Sequence, residues 1–184
     1  MKQEDIINRY IALLKEYNEK INIYSKKAYD KLSFHIQDSI NIANLIKNKG
    51  KNIVDIGSGA GFPSVLISLI NKHQTVYAVE SKQKKCSFLN IVKEALSLEN
   101  LNIINSDISS HLKEVNFSVD FFTAKAFASF DKILKILEKN YHSRINLIIP
   151  ISYNQYLDYK KTSFLKFQIV TCDKAEYYYL LFSE

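Results

Sequence analysis

Asp55, Gly57, Gly59 and Gly61 fall close together in the stretch IVDIGSGAGFPSVLISLI. An apolar run ends in an acid, turns through three glycines and re-emerges as an apolar helix. That is the first crossover of a nucleotide-binding α/β fold, whose ligand lies beyond the carboxyl ends of the strands. Glycines suit the turn because they accept positive φ and let a backbone come close. The dinucleotide fingerprint G-x-G-x-x-G seats a pyrophosphate on the helix N-terminus. Here the spacing is G-x-G-x-G, followed by Phe62, and no Walker lysine follows. Asp55 stands two residues before the first glycine, where its carboxylate repels a pyrophosphate. The ammonium and sulfonium of S-adenosylmethionine, which has no phosphate, are attracted there instead. The other role open to Asp55 is local, bonding backbone amides of the turn.

Glu80 closes the next apolar run, TVYAVE, and is placed to accept hydrogen bonds from two ribose hydroxyls. Adenine-nucleoside binders of several classes share that feature, and a solvated strand end is the plain alternative. After a third apolar run, Asp107, Ile108 and Ser109 fall where an adenine is expected, with Ile108 against the ring. An ordinary strand-to-helix turn explains the same three residues.

The elements that must position these groups follow from the hydrophobic period. Helical spacing runs from Glu4 to about Asn18 and from about Asp30 to Lys47. Short apolar strands at 52–56, 75–80, 101–105, 119–124 and 145–150 then alternate with helical segments at 62–71, 82–97 and 130–140. That alternation predicts a Rossmann-like α/β fold, a mostly parallel sheet with helices on both faces. The last stretch reads as two antiparallel edge strands around a polar turn at Asp173–Lys174, with Pro150 ending the fifth strand. The expectation is a single domain over 1–184, with a helical cap at 1–48 and the cofactor-binding core at 49–184.

The 184 residues are 47% hydrophobic and 24% charged, which is globular composition. No apolar run reaches the ~20 residues that span a bilayer, and the acidic start is unlike a secretory signal. Cys86 and Cys172 make neither a disulfide framework nor a metal-ligand pattern, so no metal is expected and a cytoplasmic setting is. Cys86 reads as a half-buried packing residue. The net charge of +6 permits a polyanionic partner without requiring one. Only Arg9 and Arg144 are arginines among the 25 basic residues, a bias that follows base composition.

Acceptor chemistry is narrowed by motifs. The Pro-Pro-aromatic motif of exocyclic amine methylation does not occur; its place after the fourth strand reads AKAFAS. Neither cysteine has the Pro-Cys setting of pyrimidine-carbon methylation. An acceptor with its own lone pair, such as guanine N7, needs only positioning in line with the sulfonium. Many other acceptors stay open on these grounds.

The segments YNEKINIYS, HIQDSI, IVDIGSGAGFPSVLISLI, ESKQKKCSFLNIVKEALSLENLNIINSDI and KAFASFDKIL occur in order across roughly 10–140. This combination resembles the bacterial small-subunit ribosomal RNA guanine-N7 methyltransferases, also known as glucose-inhibited division protein B. The resemblance implies a cytoplasmic, monomeric enzyme with S-adenosylmethionine as cofactor and 16S ribosomal RNA or the small subunit as partner, without a membrane. It implies cofactor contacts from Asp55, Gly57, Gly59, Phe62, Glu80, Ile108, Ser109 and Lys125. It also implies that Lys125 and His35 serve the substrate side, with His35 and Asp38 matching the family's His and Asp on the second helix. Read from the residues alone, His35 is a core or capping residue. Phe127 is read as core, with stacking on a base as its other role.

Three positions depart from the family pattern. Lys125 and Phe34 stand where arginines are usual, and IIPISYNQY replaces a Lys-Gly after the fifth strand. Lysine keeps the charge but loses the planar fork. Two lysine clusters, Lys82, Lys84 and Lys85 and Lys26, Lys27 and Lys31, are candidate compensating contacts to RNA, or solvated helix starts. The Tyr177–Tyr179 run reads as an edge strand with alternate tyrosines buried, with base stacking as the other possibility. The competing readings are a small-molecule methyltransferase on this fold and a family member that binds without turnover.

Overall fold

The computed structural model describes residues 3–161, 167–172 and 176–184. Helix α1 (Gln3–Lys20) buries Tyr10, Leu14 and Asn18, one helical face. At its end the buried Asn18 amide gives both protons, to the Tyr24 carbonyl and the Tyr29 hydroxyl, and its oxygen accepts from the Ile23 and Tyr24 amides. A fully satisfied side chain thus fixes the turn into the 3-10 segment Lys26–Lys31 and helix α2 (Leu32–Ile46).

The core alternates as β1 (Asn52–Ile56), α3 (Ser64–Ile70), β2 (Thr75–Glu80), α4 (Gln83–Ala95), β3 (Leu101–Asn105), α5 (Ile108–Glu114), β4 (Phe121–Ala124), α6 (Phe130–Asn140) and β5 (Asn146–Ile151). Helix α7 (Tyr153–Lys161) and strands β6 (Phe167–Cys172) and β7 (Tyr177–Ser183) complete it. The described strands form one sheet of order β3-β2-β1-β4-β5-β7-β6. β1 to β5 pair in parallel, and β7 runs antiparallel between β5 and β6. The Rossmann-like sheet expected from the alternation is therefore present. No described helix is long and apolar enough to cross a membrane.

Two apolar clusters flank the sheet. One joins α1 and α2 to α3 and α4 through Tyr10, Leu14, Ile42, Leu66 and Leu89. The other joins α5 and α6 to the opposite face through Leu112, Ile133, Leu137 and Phe122. The cap is pinned at its C-terminal carbonyls, which a helix leaves unpaired. Asn71 donates to the Ala43 carbonyl, and Gln74 donates to those of Ile46 and Gly50.

Several local expectations change. Pro150 does not end β5, which runs on to Ile151 opposite Tyr178. β4 pairs only as far as Ile148, so a residue without an N–H fits beyond that point. Helices α5 and α7 went unread because one is a single short segment and the other is polar and exposed. Tyr177 and Tyr179 are buried as expected, but their strand is interior, with β6 at the edge. The expected turn at Asp173–Lys174 lies outside the described residues.

Candidate active site

The glycine loop is closed by its own bonds. The Gly57 and Ser58 amides donate to the Val79 carbonyl at 2.9 and 3.1 Å, and the Gly61 amide donates to the Ser58 carbonyl at 2.7 Å. The Gly59 amide donates to Glu80 Oε2 at 3.0 Å, while Glu80 Oε1 accepts from the Lys82 amide at 2.8 Å. Glu80 is thus buried and braced by two amides rather than solvated. A phosphate nest needs unspent N–H groups, and these four are spent.

Gly57 has φ +69°, and a Cβ there would run into the Phe127 ring. Ala126 at φ +53° turns the chain so that this ring comes over the loop. Phe127 is 40% exposed, which corrects its reading as a core residue. A glycine is required at 57 both for its backbone conformation and for this close approach.

Two cavities meet at the loop. The first, about 230 Å³, is bordered by Gly57, Glu80, Lys82, Asp107, Ile108 and Phe127. The second, about 320 Å³, is bordered by Tyr24, His35, Gly59, Phe62, Lys85 and Lys125. Gly57, Lys85 and Ala126 belong to both. A strand-end acid beside an apolar platform is the donor set of a nucleoside site, so the first cavity fits the ribose and adenine of S-adenosylmethionine.

The second cavity rests on a buried ion pair. Lys125 Nζ lies 2.6 Å from Asp38 Oδ2 and donates to the His35 carbonyl at 2.9 Å. The Tyr179 hydroxyl donates to Asp38 Oδ1 at 2.8 Å. The end of β4, helix α2 and strand β7 meet in this network. Burial lowers the Lys125 pKa, and Asp38 opposes the fall. Lys125 also lies 5.7 Å from the centre of the Phe62 ring, a cation–π contact. Phe62 packs in turn against Tyr10 and Tyr24, and the Tyr10 hydroxyl donates to the Ala60 carbonyl at 2.6 Å. The cap therefore holds the loop directly.

Asp55 lies beneath the loop, fully buried and outside both cavities. Neither carboxylate oxygen makes a hydrogen bond of good geometry. Burial pushes its carboxyl up to about 6, and Ser58, Ser64 and the charge of Lys125 temper the rise. The groups that face it are local to the turn, the Ser58 and Ser64 hydroxyls and the Ser64 amide. His35 carries a buried, unpartnered Nδ1. Burial and, next, Lys125 hold its pKa below the ordinary histidine value.

Gly57, Glu80 and Ile108 thus come together at one cavity, and Gly57, Gly59, Phe62, His35 and Lys125 at the other. Ser109 does not join them. Its amide donates to the Asp107 side chain at 2.8 Å, capping α5, and the residue borders a separate groove. Cys86 is buried, its thiol donating to the Glu80 carbonyl at 3.2 Å. Tyr24 is the residue that sequence reasoning missed, and its aromatic place within YNEKINIYS was the available signal. The sequence marks Lys85 only as part of a lysine cluster facing RNA, and Tyr179 only as part of a tyrosine run, with nothing local to link it to Asp38. Phe34, in place of an arginine, stacks on Tyr177 with ring centroids 4.7 Å apart. Lys26 pairs with Glu19 at 3.0 Å, and Lys27 and Lys31 are exposed.

Comparison with known proteins gives the family and the fold. The family model described as rRNA small subunit methyltransferase G matches residues 3–168. A protein of that name from Ruthia magnifica subsp. Calyptogena magnifica is 30% identical over 130 residues, covering 70% of this chain and 62% of the relative. Another, from Brachyspira hyodysenteriae, is 32% identical over 149 residues, covering 80% and 70%. The chain spans 55–66% of the length of three such relatives. A crystal structure of a methyltransferase from Geobacter sulfurreducens superposes with a TM-score of 0.61 at 13% identity, covering 96% of this chain and 88% of that one. That last likeness is one of fold.

Proposed function

The chain belongs to the rRNA small subunit methyltransferase G family, and from that footing we propose that it methylates a guanine N7 in 16S ribosomal RNA, using S-adenosylmethionine. The observation that carries the reading is the spent loop. Four of its amides, those of Gly57, Ser58, Gly59 and Gly61, are already bonded within the protein, while Asp55 beneath and Glu80 beside it supply negative charge. A nucleoside bearing positive charge suits such a loop, and a dinucleotide does not.

S-adenosylmethionine, when bound, supplies a methyl group carried on a sulfonium. Gly57 gives close backbone approach, Ile108 packs on the adenine, and Glu80, already held by two amides, offers its remaining lone pairs to the ribose hydroxyls. Asp55 favours the positive charge through its field, since its oxygens do not reach the cavity. At the second cavity Tyr24, Phe62 and His35 supply an aromatic lining suited to a base. Guanine N7 has its own lone pair, so the residues' task is to orient the ring and exclude water. Lys125 acts as a positioning residue, holding α2 and His35 against the core. Its single ammonium makes both the contact to Asp38 and that to the His35 carbonyl, which supports lysine serving in place of arginine here. The reading includes a cytoplasmic monomer.

The test is incubation with labelled S-adenosylmethionine and small ribosomal subunits lacking their own N7-methylguanine, followed by mapping of the label. Label at one guanine N7 is expected. Cofactor binding without label favours a family member without turnover, and label independent of ribosomal particles favours a small-molecule methyltransferase.

A further inference from the structure

Helices α5 and α6 leave a groove of about 370 Å³ between them, on the sheet face opposite the cap. Lys113 from α5 and Lys132, Lys135 and Lys139 from α6 border it, over a floor of Ile136 and Asn140. The three α6 lysines stand at i, i+3 and i+7, one helical face. Asp131 and Glu138 of the same helix fall to its flank and do not border the groove, nor does Glu114 of α5. All four lysines are exposed, and among the described residues none has its ammonium within 4.0 Å of a carboxylate. Four like charges bordering one groove raise a local positive potential that draws an anionic partner.

The groove is separate from the cleft but begins one residue along the chain from it. Ser109 borders it, and the preceding Ile108 borders the nucleoside cavity. At its other end it runs into a trough of about 550 Å³ that shares Lys113, Lys139 and Asn140 and adds His142. The cationic track thus follows the α5–α6 seam, starting from the N-terminal turn of α5 whose first residue borders the nucleoside cavity.

We propose that this groove binds the sugar–phosphate backbone of the RNA substrate, so that the strand is gripped on the face away from the cap while its target base enters the cleft. The proposal rests on the reading of the chain as an rRNA methyltransferase for the identity of the polyanion. A continuous backbone suits a track of point charges spread along a helix, because each lysine neutralises a phosphate without fixing its orientation. Such contacts bind without selecting sequence, leaving selection to the cleft.

The experiment measures binding of the full chain to a 16S rRNA transcript across a salt series, alongside cofactor affinity by calorimetry. The variant carries Lys113→Gln, Lys132→Gln, Lys135→Gln and Lys139→Gln. A control removes the same charge at the far end of the strands, with Lys47→Gln, Lys49→Gln, Lys51→Gln and Lys72→Gln. Each phosphate contact contributes about 0.7 to the slope of log affinity against log salt on single strands. The groove variant is expected to lose about 2–3 units of slope and to bind about 10–100-fold more weakly at physiological salt. Its cofactor affinity stays within about twofold of the wild type, as expected for exposed positions outside the cavity. The control keeps most of the slope. An unchanged slope in the groove variant, an equal loss in the control, or no RNA affinity in the wild type overturns the proposal. Methyl transfer to subunits, followed in the same samples, separates the two ideas: RNA binding that depends on the groove without any transfer sinks the enzymatic reading and leaves the groove standing.

Discussion

Lys125 and Asp38, on different elements, meet at 2.6 Å in a buried ion pair that joins the end of β4 to helix α2. The Tyr179 hydroxyl holds the other carboxylate oxygen. Removing one partner of such a pair strands the other charge away from water, at a cost of about 3–5 kcal/mol. Lys125→Met is expected to destabilise by that amount in denaturant unfolding. Lys125→Met combined with Asp38→Leu is expected to lose much less than the sum, with a coupling of about 1–3 kcal/mol. Lys125→Arg, which preserves the charge opposite Asp38, is expected to lose less than Lys125→Met. Additive single-variant losses would show that the pair is not coupled.

Asp55 is raised from its ordinary value to about 6 by burial. In the unfolded chain it ionises first as pH rises, so the folded state holds the extra proton between about 4 and 6. Stability from this group is present below the lower value and lost as pH climbs through the upper one. Asp55→Asn is therefore expected to stabilise the protein by about 2 kcal/mol at pH 7.5 and to leave it nearly unchanged near pH 4. The same variant is expected to bind S-adenosylmethionine more weakly. Chemical denaturation at the two pH values, with calorimetry of cofactor binding, checks both halves.

Gly57→Ala forces an L-residue into φ +69° and drives its Cβ into the Phe127 ring. We expect a loss of cofactor affinity of at least about tenfold, from backbone strain together with displacement of the ring. Adding Phe127→Ala relieves the clash and restores part of the affinity while leaving the strain. If the double variant binds no better than the single one, the ring is not what the new methyl meets.

His35 is held below the ordinary histidine pKa by burial and the neighbouring Lys125. It is expected to be neutral at pH 7, with an NMR titration midpoint below about 6.5. Lys125→Met removes one cause, leaving burial and Lys31, and moves that midpoint up, provided the fold holds in the same spectra. A midpoint above the ordinary value would contradict the surroundings described for its ring.

The central strands were legible because each is a short, continuous apolar run ended by an acid or a polar turn. β1, β2 and β3 have the bounds that the sequence predicts. The loop cofactor class was legible for a related reason, since Asp55 and the third glycine's spacing are local. What is not local was not readable. The Lys125–Asp38–Tyr179 network joins three elements whose sequence positions carry no mutual signal. Phe127 looks like core in any apolar pattern, and only the positive φ of Ala126 turns it over Gly57. Ser109 follows Ile108 in sequence yet faces another groove, because successive residues of a helix point about 100° apart. The lysine track escaped notice for a similar reason: α5 has only seven residues, too few to display a period.

The position of β7 in the sheet sets an order of assembly. The Gly59–Glu80 bond that braces the glycine loop spans 21 residues, whereas the Tyr179–Asp38 bond spans 141. Loops of the first kind close early and cheaply, and contacts of the second kind come late. During synthesis the first parallel strands and their loop can settle while the slot beside β5 still stands open. Entry of the final strand beside β5 is what carries the Tyr179 hydroxyl to Asp38 and so ties the sheet to the cap.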